Sequence, residues 1–393
     1  MPESPQRAHD IAGLKAALPG LAPIEDRAIV RQRSRDFFWF SPLLDRQLRG
    51  KSADVVAIPR DEAEVIALAA PGVARAQGGA PHRVRFTLDW SFHGAYSFIA
   101  AGERQGIFRE AGLDISVVRG FGSGRVPVDL AAGTYDIGIA DCTPAMRFLA
   151  EDPGRDVVAV AMIYEGSPPC ATVGADGPIT EPKMLAGKAL AAPEFDGGRQ
   201  VFPVFAQAIG IEPASIRWQS VSPELHEQML VQRRADGITG FITSMGMSLK
   251  ALGMNWPQQR IFRYRDYGLD FYGSALLTTR TFLREKPEAA KATILGMMRA
   301  MSWSYRNPDA AVAHLKGRES LTDVPIETER QQVAFREMLV TENVRKHGLS
   351  RVEAPRMQRQ LDAVKGAFNL ATMPSVAEFY TDAFLPAPAQ RML

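Results

Sequence analysis

From Val84 onward, short β-branched or aromatic runs alternate with segments of helical spacing, and that alternation restricts the chain to parallel sheets flanked by helices. VRFTLDW reads as a strand, SFIAAGERQGIF as a helix, and AGLDISVVRG as a turn plus strand. GFGSGRVPVDLAAG is a Gly-rich turn opening a helix, followed by the strand YDIGIAD and the helix TPAMRFLAED. VVAVAMIY is apolar throughout, the pattern of a strand buried on both faces. KALAAPEFDGGRQVFPVFAQAIG repeats the order strand, Gly turn, helix, and IRWQSV, PELHEQMLVQRR and DGITGFI continue it. From Thr281 the texture becomes mostly helical, and no internal repeat or low-complexity tract interrupts it.

Several function classes drop out on composition. At about 150 residues per domain, 393 residues predict two or three domains. Forty-six basic against 44 acidic side chains leave a net charge of +2 with no clustered basic face, so nucleic acid is not an expected partner. Two cysteines, Cys142 and Cys170, do not make a disulfide framework or a Cys-rich zinc site. The six histidines are scattered and form no HExxH, which leaves no metal expected. No apolar run reaches the 18 or so residues of a membrane span.

Ligands of open α/β sheets sit beyond the carboxyl ends of strands, where helix N-termini present N–H groups and partial positive charge. Three segments are placed for this. Residues 120–124, with Gly122, Ser123 and Gly124, follow ISVVR; Asp141, Cys142 and Thr143 follow YDIGIA, with Thr143 read as the N-cap; Asp196, Gly197, Gly198 and Arg199 follow KALAAP. A cation is disfavoured in a first helical turn, so Arg199 suggests an anionic group nearby. Trp90, Phe92 and Tyr96 lie just after the first strand and could wall a planar ligand, as could Phe121, Tyr164, Phe195, Phe241 and Tyr272 at other strand ends or turns. His93 stands among the first group; a lone histidine on a turn is more often a hydrogen-bonding residue than a catalyst. Cys142 has no histidine near it in sequence and reads as a small buried thiol. GFGSG is neither a dinucleotide fingerprint, because Arg125 stands where the third glycine belongs, nor a nucleophile elbow.

These segments, in this order, carry a resemblance. LDW at 88–90, the block at 101–124, AAGTYDIGIAD at 131–141 and PITEPKMLAGKALAAPE at 178–194 are similar to the SsuA/THI5-like (NMT1-like) substrate-binding proteins of ABC importers, over about 84–386. The resemblance implies a type II periplasmic-binding fold: two α/β lobes, two crossings between them and a ligand cleft. Lobe one would be about 84–170 plus 275–386 and lobe two about 171–274, with a mostly helical C-terminal part. It implies a monomer without a cofactor that closes on a small anionic or heterocyclic ligand, sulfonate- or taurine-like or thiamine-pyrimidine-like, and presents it to a membrane permease. The alternative within the resemblance is a THI5-like thiamine pyrimidine synthase using pyridoxal phosphate, which needs a Schiff-base lysine, a donor histidine and a Cys-rich loop. Those positions align with Ala140 and Pro144, and the Cys-rich run is missing.

Residues 1–76 read as a poorly packed extension. Residues 30–68 resemble the start of FAD-linked oxidases of the D-lactate dehydrogenase type, but no Gly-rich phosphate cradle follows, only Gly78-Gly79, so FAD is not expected. Residues 67–77 look like the tail of a signal peptide, with Ala74-Arg75-Ala76 as an A-x-A site, although Arg60, Asp61, Glu62 and Glu64 break its apolar stretch. The family implies a periplasmic location; an unprocessed chain would remain cytoplasmic.

Overall fold

In the computed structural model the described residues are 24–26 and 81–393. The chain divides into two compact units, Met1–Ala80 and Pro81–Leu393, and the second is described here. The oxidase-like stretch, the A-x-A site and the expected poor packing of residues 1–76 lie outside the described residues.

Among the described residues, ten strands form two five-stranded sheets. The first contains β1 (His82–Thr87), β2 (Leu113–Val118), β3 (Ile137–Asp141), β4 (Val157–Met162) and β10 (Ser274–Thr279), in the order β2-β1-β3-β10-β4. The second contains β5 (Pro169–Gly174), β6 (Ala189–Ala192), β7 (Arg217–Ser220), β8 (Gly237–Phe241) and β9 (Gln259–Arg263), in the order β7-β6-β8-β5-β9. Apolar β4 is buried along its whole length, as its composition predicts.

Each sheet is parallel except for one strand, and the exception has a cause. β10 runs antiparallel to β3 and β4, and β5 runs antiparallel to β8 and β9. Both are the strands that have just arrived from the other sheet, after β9 and β4 respectively. A chain that crosses between sheets enters at the edge where the neighbouring strands end, so it must run the other way. The carboxyl ends of the remaining strands therefore face one another across a cleft. This is the two-lobed α/β arrangement expected from the sequence.

Nine helices position the site. α1 (Ser97–Arg104), α2 (Val126–Ala131) and α3 (Cys142–Glu151) follow strands of the first sheet, and α4 (Gly197–Ala208) and α5 (His226–Val231) follow strands of the second. The helical C-terminal part supplies α6 (Pro287–Arg306), α7 (Pro308–Arg318), α8 (Val324–Ala334) and α9 (Ala354–Ala367). α6 lays Ile294, Met297, Met298 and Met301 on the first sheet's core with Phe86 and Ile99, all buried. Each such side chain contributes about 1.5–3 kcal/mol. α9 packs on both α3 and α4, and α8 packs on both the Gly94–Tyr96 turn and the π-helical turn Ile242–Gly246. These two helices tie the sheets together on either side of the cleft.

Candidate functional site

The turn after β2 meets the turn after β6. Gly124 N–H donates to the Phe195 carbonyl at 3.1 Å, and a Cβ on Gly122 would stand 2.1 Å from that same oxygen. Gly122 has φ +128°, a conformation left to glycine. Ser123 Oγ lies 3.4 Å from where a Cβ on Gly197 would be. The two lobes are thus in contact over a strip of glycines, which allow backbone to approach backbone.

Beneath this strip is a buried polar cluster centred on Asp89, which is 2% exposed. Its two carboxylate oxygens accept from Tyr96 Oη and Ser123 Oγ, each at 2.6 Å. Ser123 Oγ in turn accepts the Asp141 backbone N–H at 3.2 Å. Asp141, 1% exposed, caps α3 by accepting the Thr143 N–H at 2.9 Å through Oδ1. Across the cleft Asp196 caps α4, accepting the Arg199 N–H at 2.8 Å and the Thr239 hydroxyl at 3.2 Å. Glu227, on α5, is buried as well.

Desolvation dominates the electrostatics. Burial raises the Asp89 carboxyl, and it pushes Asp141, Asp196 and Glu227 up to about 7. Burial lowers both His93 and His226, the latter to about 4. The raised acids hold their protons in the folded state far above the ordinary carboxyl range, so their stabilising contribution is complete below about pH 4 and is lost as pH rises through 7. The neutral histidines act in the opposite sense, but only below about pH 6.5. Between pH 6.5 and 8 the ligand-free protein is therefore expected to lose stability, on the order of 1–2 kcal/mol. Urea unfolding at the two pH values checks this, and an unfolding free energy that rises toward pH 8 would contradict it.

The residues singled out in the sequence divide into groups. His93, Tyr96, Ser123, Asp141 and Thr143 come together at the carboxyl ends of strands of the first sheet, and Gly197 approaches Ser123 from the second. His93 stacks on Tyr96 at 4.9 Å and is buried. Cys142 is buried with its Sγ 3.9 Å from Met162 Sδ, the environment of an inert thiol. Trp90 and Phe92 are half-buried against the first sheet's core, and Arg318 covers the Phe92 ring at 4.1 Å. Phe121 is exposed under Arg119. Tyr164 and Tyr272 are fully buried and hydrogen-bonded to backbone, the first to the Ala95 carbonyl and the second to the Glu353 N–H.

One local expectation is corrected. Thr143 is not the N-cap of α3; Asp141 is, because a carboxylate one position before the helix reaches the Thr143 N–H, while the Thr143 hydroxyl accepts from Gln360. The first turns of α3 and α4 are partly satisfied from within, Asp141 accepting the Thr143 N–H and Asp196 the Arg199 N–H, and in the glycine turn Gly122 N–H donates to the Asp89 carbonyl. Arg199 has an anchor within its own sheet that the sequence did not suggest: Nη1 donates to the Ala192 carbonyl and Ser220 Oγ, and the guanidinium lies over Trp218 at 4.8 Å.

Two features escaped sequence reasoning. Asp89 stands in plain view after β1, but its partners are 7 and 34 residues away. Arg330, on α8 and 5% exposed, clamps Glu327 through Nε at 2.8 Å and Nη2 at 3.1 Å, and donates from Nη1 to the Thr243 and Ser244 carbonyls. Glu327 also accepts the Gly94 N–H at 2.5 Å. The i, i+3 spacing of Glu327 and Arg330 was a readable signal, yet nothing local announced the burial of Arg330.

Comparison with known proteins bears on the family and the fold. The family model described as NMT1/THI5 like matches residues 95–311. A formylaminopyrimidine-binding protein of Halalkalibacterium halodurans is 23% identical over 246 residues, 62% of this chain and 72% of that one. Among solved structures, the alkanesulfonate-binding protein SsuA of Xanthomonas axonopodis pv. citri bound to MOPS superposes with a TM-score of 0.61 at 16% identity, covering 78% of this chain and 99% of its own. The periplasmic nitrate-binding protein NrtA of Synechocystis PCC 6803 gives 0.56 at 13% identity, with 78% and 88% covered.

Proposed function

That the chain belongs to the NMT1/THI5-like family is the premise from which we propose that it is the solute-binding component of an ABC importer. It closes two lobes on a small organic molecule and delivers it, without making or breaking a bond, to a membrane permease. The observation that carries this reading is the contact of two glycine turns from facing sheets above a buried polar cluster. Such a contact can part and re-form if the lobes hinge at the two crossings, 163–168 and 264–273, which we take as the boundaries between lobe one and lobe two. The named relatives that bind formylaminopyrimidine, alkanesulfonate and nitrate support a transport role and leave the ligand open. A periplasmic site of action follows from the same reading.

The synthase reading has less behind it. Ala140 is fully buried within β3, and Pro144 lies in α3, so neither the Schiff-base nitrogen nor the donor imidazole has a place there.

Thermal unfolding of the full chain with ethanesulfonate, taurine, nitrate, formylaminopyrimidine, thiamine and pyridoxal phosphate, one at a time, tests the proposal. A solute at about a hundred times its Kd adds roughly 2.7 kcal/mol, a plain upward shift in melting temperature. A shift with pyridoxal phosphate alone would favour the synthase. No shift with any of them would count against solute binding.

A further inference from the structure

We infer that Arg356, in the first turn of α9, is a positioning residue of the hinge, a clasp that holds the two chain crossings in the relative twist at which the lobes meet. The inference rests on the solute-binding reading and goes beyond it by assigning the closed geometry to a side chain on the hinge itself.

The first observation is that one guanidinium reaches both crossings. In 163–168, Arg356 Nη1 donates to Glu165 Oε1 at 2.8 Å. In 264–273, Nε donates to the Asp270 carbonyl at 3.1 Å, and Nη2 to Asp270 Oδ1 and the Phe271 carbonyl, each at 2.9 Å. The guanidinium carbon lies 4.3 Å from the centre of the Tyr272 ring. Glu165 is buried and also accepts from Thr341 Oγ1 and Asn343 Nδ2, which fix the carboxylate that Arg356 grips. Charge-assisted bonds of a planar guanidinium are strong and directional, so these five atoms hold a defined geometry.

The second observation is that the crossings lie against one another. Gly166 pairs with Tyr272, Gly273 N–H donates to the Glu165 carbonyl at 3.2 Å, and a Cβ on Gly273 would stand 2.3 Å from the Gly166 carbonyl oxygen. One turn along α9, Gln360 holds Tyr272 by its N–H at 3.0 Å and its carbonyl at 3.1 Å, and donates to Thr143 Oγ1 of α3 at 3.1 Å. Hinge rotation changes the backbone angles of the crossings and so turns one against the other. A rigid fork bonded to both cannot follow. In the twist it now holds, the turn of Gly122 and Gly124 touches Phe195 on the opposite lobe, so the clasp favours the state in which the lobes meet.

The test is the distance between two spin labels on the full chain, without solute, at cysteines introduced for Val128 on α2 and Val231 on α5. Both positions are exposed, whereas Cys142 and Cys170 are buried. Arg356→Lys is compared with Arg356 in the same labelled chain. Lysine keeps the charge, but one ammonium cannot reproduce the fork that serves both crossings. The expected result is a rise of about threefold or more in the ratio of longer to shorter distances, with the circular dichroism of the fold retained. A merely structural Arg356 would lower the melting temperature and leave the distances as they were, which overturns the inference. A shift toward shorter distances overturns it too, because the clasp would then be holding the lobes apart. If Arg356→Lys does not fold, Asp270→Ala is read in the same way; that side chain is 77% exposed, and its loss removes one bond of the clasp at the surface. The measurement uses no solute, so a silent melting series counts against solute binding and not against the clasp.

Discussion

Replacing Gly122 by alanine is expected to leave both sheets folded and to weaken ligand binding about 100-fold. The reason is the place of the clash. The added methyl would lie 2.1 Å from the Phe195 carbonyl oxygen, which belongs to the turn after β6 on the opposite lobe, and 2.9 Å from the Phe195 Cβ. A neighbour within the same lobe would turn that collision into a folding defect. Here the lobes can relieve it by parting. The closed state alone bears the cost of that clash, whereas the strain of φ +128° at a non-glycine residue, about 1–3 kcal/mol, falls on the turn after β2 in either state. A penalty of about 3 kcal/mol on the binding-competent form raises the apparent Kd by roughly two powers of ten. Small-angle scattering would report a larger radius of gyration, and titration of whichever solute shifts the melting temperature would report the weaker binding. An alanine variant with unchanged radius and affinity would mean that the contact of the glycine turns plays no part in capture.

Arg330→Met is expected to cost about 3–5 kcal/mol of folding stability. The side chain is buried, and its removal strands Glu327 with a single backbone donor from Gly94 and leaves the Thr243 and Ser244 carbonyls without theirs. A largely desolvated carboxylate without its cation is the costly item, so the double variant Arg330→Met with Glu327→Gln should regain much of the loss. Denaturant unfolding of the two singles and the double gives the coupling energy directly. A double variant no more stable than Arg330→Met would assign the cost to the lost carbonyl contacts across α8. Because those contacts join α8 to the turn after β8, the single variant should also bind solute more weakly.

The parts of the fold that were legible in the chain are those decided locally. Six consecutive buried residues of β4, the glycine turns and the strand ends each follow from a few neighbouring side chains. The cap at α3 was misplaced by two residues because a threonine and an aspartate in the same short stretch are both good caps, and only backbone geometry chooses between them. The anchor of Arg199 was missed for a different reason. Its position in a first turn suggested an anion, but the Ala192 carbonyl, Ser220 and Trp218 come from neighbouring strands that a linear reading does not set beside it. Asp89, Glu327 and Arg330 were passed over because their partners lie on segments as much as 233 residues apart. Thus the frame could be read, and the buried polar cluster around Asp89 could not.

The reversed strand β10 sets the order in which this protein can be made. It sits between β3 and β4, and it is the strand to which β4 pairs. Yet β4 ends at Met162 and β10 begins only at Ser274, after the whole second sheet has been synthesised. At about 5–20 residues per second, a nascent chain carries the apolar ribbon of β4 unpaired for on the order of ten seconds. The second sheet, whose strands are contiguous from Pro169 to Arg263, can close in that interval without waiting. The lobe that begins the described fold is therefore the last to be completed.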